Sequence, residues 1–103
     1  MISVELEIRN PSGLHARPAA MFVRTAGAQQ AAILVRNVSL GSAEVNGKSL
    51  LAVMGLGVSH GQCIAVTADG EDEEAAIEAI RGAVDGGLGE TVEGTAGGEP
   101  EPT

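Results

Sequence analysis

The stretch that decides the fold is ISVELEIRNPSGLHARPAAMFVRTAG, residues 2–27. Its first eight residues alternate: Ile2, Val4, Leu6 and Ile8 are apolar, while Ser3, Glu5, Glu7 and Arg9 are polar. A period of two is that of a β-strand with one face buried. Asn10-Pro11-Ser12-Gly13 interrupts the alternation with turn-forming residues. From about residue 16 the period becomes helical, with Ala19, Phe22, Val23 and Ala26 on one stripe and Met21 and Arg24 turned away. Pro18 suits the first turn of a helix, where a backbone N–H is not required, and Gly27 suits its end.

The rest of the chain extends this start. Residues 31–36 (AAILVR) read as a second strand and residues 38–45 (VSLGSAEV) as a third, weakened by Gly41, with an antiparallel turn at Asn37. Asn46-Gly47 marks another turn. Ser49 stands as an N-cap before a short helix, LLAVM, closed by Gly55 and Gly57. Residues 61–68 give a fourth strand, with Ile64, Val66 and Ala68 on one face. The acidic run Asp69 to Glu74 favours the start of a last helix, whose buried stripe is Ile77, Ile80 and Val84 and whose stop is Gly86-Gly87. Four strands and three helices in this order predict an α+β fold: an antiparallel four-stranded sheet with one face covered.

Residues 1–85 are expected to form the one folded domain. Residues 86–103, rich in Gly, Glu, Pro and Thr, are expected to be a disordered acidic tail or linker. With 103 residues, a second domain does not fit. Phe22 is the only aromatic residue, so the core must be aliphatic.

The net charge is −8, half of it in the last 18 residues, which hold four glutamates and no basic residue. An acidic, aromatic-poor chain argues against nucleic-acid binding, which needs a basic face or stacking platforms. Cys63 has no partner for an internal disulfide, and its apolar setting predicts a buried thiol. His60 is expected in a solvent-facing turn. No spacing of a metal site, no signal peptide and no run near the roughly 20 apolar residues that span a bilayer is present, so a cytoplasmic protein without metal or cofactor is expected.

The chemistry is concentrated in Gly13-Leu14-His15-Ala16-Arg17-Pro18, where strand hands over to helix. The first N–H groups of a helix lack internal partners and carry partial positive charge, which makes an anion site. Gly13 frees the loop backbone, and Arg17 adds a fork suited to phosphate. A neutral imidazole at such a place is a nucleophile, and a phosphoryl group on it would be steadied by the same donors. On spacing alone, a lone histidine near a helix start is more often a helix cap or a surface residue than a phosphate site.

The segment NPSGLHARPAAMFV resembles the active-site segment of the HPr family, the histidine-containing phosphocarriers of the bacterial phosphotransferase system. The similarity continues at NGKSLLAVMGLGVSHG and ADGEDEEAAI and covers about residues 2–85. The resemblance implies an open-faced β-sandwich with three helices on one face of the sheet. It implies that His15 is phosphorylated on Nδ1 by enzyme I and that Arg17 contacts the phosphoryl group, which then passes to enzyme IIA domains. The protein would be a carrier and not an enzyme, and a monomer.

The resemblance also aligns Ser49 with a serine that an HPr kinase phosphorylates in some bacteria. It places partner docking at Ala16, Ala20, Met21 and Arg24 of the first helix and at Leu50, Leu51 and Met54 of the short helix, with one of Leu50 and Leu51 expected in the core. Two other contexts fit the same residues: an HPr-like domain of a larger multi-domain phosphotransferase or of a dihydroxyacetone-kinase phosphoryl donor, or a regulatory binding module.

Overall fold

A computed structural model describes residues 1–90. The elements follow the order β1 (Ile2–Glu7), α1 (Ala16–Gly27), β2 (Ala32–Asn37), β3 (Val45–Asn46), α2 (Leu50–Met54), β4 (Cys63–Asp69) and α3 (Glu73–Asp85). The four strands form one antiparallel sheet in the order β1-β4-β2-β3. This is the α+β open-faced sandwich with three helices that the sequence predicts.

Register explains why one face is covered. Across β1, β4 and β2, Val4 pairs with Val66 and Val66 with Val35; Ile2 pairs with Ala68 and Ala68 with Ile33. These rows join the core with Phe22 of α1, Val53 of α2, and Ile77, Ile80 and Val84 of α3. Fully burying a side chain such as Phe22, Val53 or Ile80 contributes about 1.5–3 kcal/mol. The opposite rows carry Ser3, Thr67 and Leu34, then Glu5, Ala65 and Arg36. Thr67 Oγ1 donates to Ser3 Oγ at 3.0 Å, so a polar pair ties two strands on the uncovered face. Among the described residues, no helix is long and apolar enough to cross a membrane.

Four expectations are corrected. The third strand spans two residues and not 38–45. Asn37 is the cause: its N–H donates to Ser42 Oγ at 2.8 Å and its Oδ1 accepts from the Leu40 N–H at 3.1 Å, so side-chain bonds take the backbone groups a strand would use. Gly41, at φ 68°, completes the turn. Second, Cys63 opens β4 half-buried, where the thiol was expected buried; it pairs with Glu7 on the uncovered side of the sheet. Third, neither Leu50 nor Leu51 is in the core. They are 43% and 84% exposed, because the single turn of α2 buries Val53 instead.

The fourth correction concerns the boundary at residue 85. The chain stays packed through residue 90: Leu88 is fully buried and belongs to the core. The Leu88 N–H donates to the Ala83 carbonyl and the Gly87 N–H to the Val84 carbonyl, each at 3.0 Å. With Gly87 at φ 89°, this pair of bonds is a Schellman motif, which turns the chain back onto its own helix. Residues 91–103 of the expected tail lie outside the described residues.

Candidate functional site

The loop between β1 and α1 is built around Gly13. Its N–H donates to the Asn10 carbonyl at 3.2 Å, and the next N–H, of Leu14, donates to the Val58 carbonyl at 3.0 Å. Gly13 has φ 64°, and a Cβ there would overlap the Val58 carbonyl oxygen, so only glycine fits. Leu14 is fully buried and anchors the chain just before His15.

His15 occupies the N-cap position of α1 with an extended backbone (φ −122°, ψ 151°), and its side chain makes no capping hydrogen bond. The imidazole is therefore exposed and not spent on the helix. The helix begins at Ala16, whose φ of 48° is left-handed and carries about 1–3 kcal/mol of backbone strain. Pro18 removes one N–H from the first turn and is itself buried. The N–H groups that remain at this helix start are the anion-favouring ones. Arg17 is exposed and forms no ion pair among the described residues, so its guanidinium is available to an incoming anion.

The residues expected at a docking rim gather along α1 and α2, which pack against each other. Ala16, Arg24, Leu50 and Leu51 are exposed; Ala20, Met21 and Met54 are half-buried. Arg24 Nη1 lies 3.8 Å from Met21 Sδ. Ser49 is the N-cap of α2, and its Oγ accepts from the Ala52 N–H at 3.2 Å. Lys48 Nζ donates to the Gln29 carbonyl at 2.8 Å and ties this corner to the end of α1. His60 is exposed, in the turn before β4.

Sequence reasoning named Asn10 and Ser12 only as turn formers and missed their partner Glu90, beyond α3. Asn10 is fully buried, and its Nδ2 donates to the Gly13 carbonyl at 2.9 Å and to Glu90 Oε1 at 3.1 Å. Glu90 also accepts from the Ser12 N–H at 3.0 Å and, at 2.7 Å, from the Ser12 hydroxyl. These donors hold the Glu90 carboxyl below the usual carboxylate range: the Asn10 bond first, then the two Ser12 bonds, with the Arg17 charge adding to them. The readable signal was Gly87 followed by apolar Leu88, a helix-reversal pattern.

A one-sided α+β sandwich that holds an uncapped, exposed histidine at the head of its first helix defines a small phosphocarrier-type domain. Residues 2–85 match the family described as PTS HPr component phosphorylation site, and the chain belongs to this HPr family. A phosphocarrier protein HPr of Streptomyces coelicolor is 42% identical over 81 residues, covering 79% of this chain and 85% of that protein. A multiphosphoryl transfer protein of Salmonella typhimurium is 43% identical over 90 residues, covering 87% of this chain. The chain spans only 24% of that relative's length. Among solved structures, HPr-C-His from Thermoanaerobacter tengcongensis superposes with a TM-score of 0.81 at 43% identity, covering 87% of this chain and 98% of the other.

Proposed function

We propose that this protein accepts a phosphoryl group on His15 from enzyme I, itself charged by phosphoenolpyruvate, and passes it to enzyme IIA domains. The observation that carries the reading is the N-cap geometry of His15: an exposed imidazole, uncommitted to its own helix, beside backbone donors and Arg17. The lone pair of Nδ1 attacks the phosphorus of the enzyme I phosphohistidine, the donor's N–P bond breaks, and the reverse step delivers the group onward. Such transfer depends on in-line placement and charge compensation, which one nucleophile and a few donors supply. His15 has no second acid–base group within its own loop, in keeping with a carrier that relies on its partners for the rest.

Arg17 is the phosphate contact in this reading. The exposed Leu50 and Leu51, with Met21 and Met54 beside them, are the apolar surface on which partners dock. The protein works in the cytoplasm as a monomer. A kinase acting on Ser49 would add charge at the centre of this surface and weaken docking of acidic partners, although the hydroxyl already serves the helix as its cap.

One observation favours a second context for the same chemistry. The multiphosphoryl transfer proteins that this chain matches are far longer than it is, so the domain is also suited to a multi-domain relay. The test is mass spectrometry after incubation with phosphoenolpyruvate and enzyme I. One acid-labile phosphoryl group per chain is expected, absent from His15→Ala. Equal labelling of that variant would overturn the assignment.

A further inference from the structure

β1 stands at an edge of the sheet, with β4 as its one strand neighbour among the described residues. Its backbone is therefore paired on one side only. The Ile8 N–H donates to the Gln62 carbonyl at 2.8 Å, and the Ile8 carbonyl accepts from the Gly61 N–H at 2.7 Å, so Ile8 turns its backbone toward β4. In an antiparallel pair this direction alternates from residue to residue. Ile2, Val4 and Leu6 thus turn the same way as Ile8. The N–H and C=O groups of Ser3, Glu5 and Glu7 face the open edge, and such a row is a template for a further strand.

A groove of about 300 Å³ lies between β1 and α3, lined by Ile2, Val4, Glu74, Ile77, Glu78 and Arg81. Ile2 and Val4 pack against the core yet are only half-buried, whereas Val66 and Val35 on the inner strands are fully buried. One more strand beside β1 would complete their burial. Arg81 Nε is buried without a hydrogen-bond partner, and Arg81 forms no ion pair among the described residues. An added strand brings carbonyl acceptors of the kind this side chain lacks.

Charge decides which strand fits. Glu5 and Glu7 are exposed on β1, and Glu74 and Glu78 are exposed on α3. A second copy of β1, added antiparallel about Glu5, would set Glu5 opposite its own counterpart, and like charges directly opposite are destabilising. Residues 91–103 carry Glu93, Glu99 and Glu101 and no basic residue, so the same repulsion meets them.

We propose that the β1 edge binds an extended basic segment of a partner protein, in which Lys or Arg alternates with apolar residues. Its main chain pairs with Ser3, Glu5 and Glu7. Its apolar residues cover Ile2 and Val4, and its basic residues meet Glu5 and Glu7 on the uncovered side of the sheet. This surface shares no element with the α1–α2 rim, so it stands apart from the reading of His15.

The probe is a seven-residue peptide of alternating lysine and valine, blocked at both ends and titrated at low salt into the isotope-labelled full chain. The backbone amide resonances of Ser3, Glu5 and Glu7 should shift, and those of Leu50 and Leu51 should not. The double variant Glu5→Lys, Glu7→Lys should bind this peptide roughly tenfold more weakly and should instead take an alternating glutamate–valine peptide. Both side chains are exposed, so the variant should keep its fold.

Equal binding of a peptide with the same lysines and valines in block order would reduce the effect to charge attraction and overturn the proposal. Absence of shifts along β1 at millimolar peptide would also overturn it, leaving Glu5 and Glu7 as charges that keep other strands away. Sedimentation of a peptide-free dimer that the double variant abolishes would give the edge to a second copy and overturn it too.

Discussion

The Asp72 carboxylate accepts from the Ala31 backbone N–H at 2.8 Å, across 41 positions of sequence. Its other oxygen accepts from the Gln30 N–H at 2.9 Å. Asp72 stands at the N-cap position of α3, yet its side chain makes no bond to that helix. It instead satisfies the backbone where the chain enters β2, so one residue fixes the start of α3 against the sheet. Asp72→Ala leaves the N–H of buried Ala31 without a partner and should cost about 1–3 kcal/mol in urea unfolding.

Gly13 makes a sharper prediction. Gly13→Ala drives a methyl group into the Val58 carbonyl and should cost about 2–3 kcal/mol. The phosphorylation rate with enzyme I should fall with it, because Leu14 and His15 follow directly. Gly41→Ala is the control: the same left-handed φ, but nothing within 4 Å of the added atom. It should cost only about 1–2 kcal/mol from the backbone angle and leave the phosphorylation rate unchanged.

The exposed rim separates stability from recognition. Leu51 is 84% exposed, so Leu51→Glu should change unfolding free energy by less than about 0.5 kcal/mol. Transfer from the phosphorylated variant to an enzyme IIA domain should slow at least several-fold. Unchanged transfer would remove α2 from the docking surface.

Glu90 also predicts an acid limb of stability. Its folded-state pKa is lowered, chiefly by the Asn10 and Ser12 bonds. Its contribution is therefore complete above the ordinary carboxylate pKa of about 4.3 and is lost as pH falls through the lowered value. Thermal melts between pH 6 and pH 2 should show a shallower loss of Tm in Glu90→Gln than in wild type.

Most of this architecture is legible because strong periods identify its elements. The alternation from Ile2 to Ile8 and the stripe through Phe22 and Ala26 each identify an element that the structure contains. The stretch 38–45 misled because its apolar residues are compatible with a strand, while the side chain of Asn37 closes a turn that no hydrophobic pattern records. Leu51 misled for a related reason. A five-residue helix has room for one inward side chain, and Val53 takes it. At the site, His15, Arg17 and Gly13 stand together in one short segment. Glu90, which braces the turn before them, was hidden because its bonds to Asn10 and Ser12 depend on a chain reversal around a single buried leucine.

The strand order β1-β4-β2-β3 has a kinetic consequence. The first strand cannot find its neighbour until residues 63–69 exist, and the loop before α1 is completed only by residues 88–90. Sheets assembled from such distant pairings fold on the order of milliseconds to seconds, more slowly than helical bundles of the same size. During synthesis the histidine emerges well before residues 88–90, whose packing completes its surroundings. A nascent or truncated chain would thus carry His15 without its clamp.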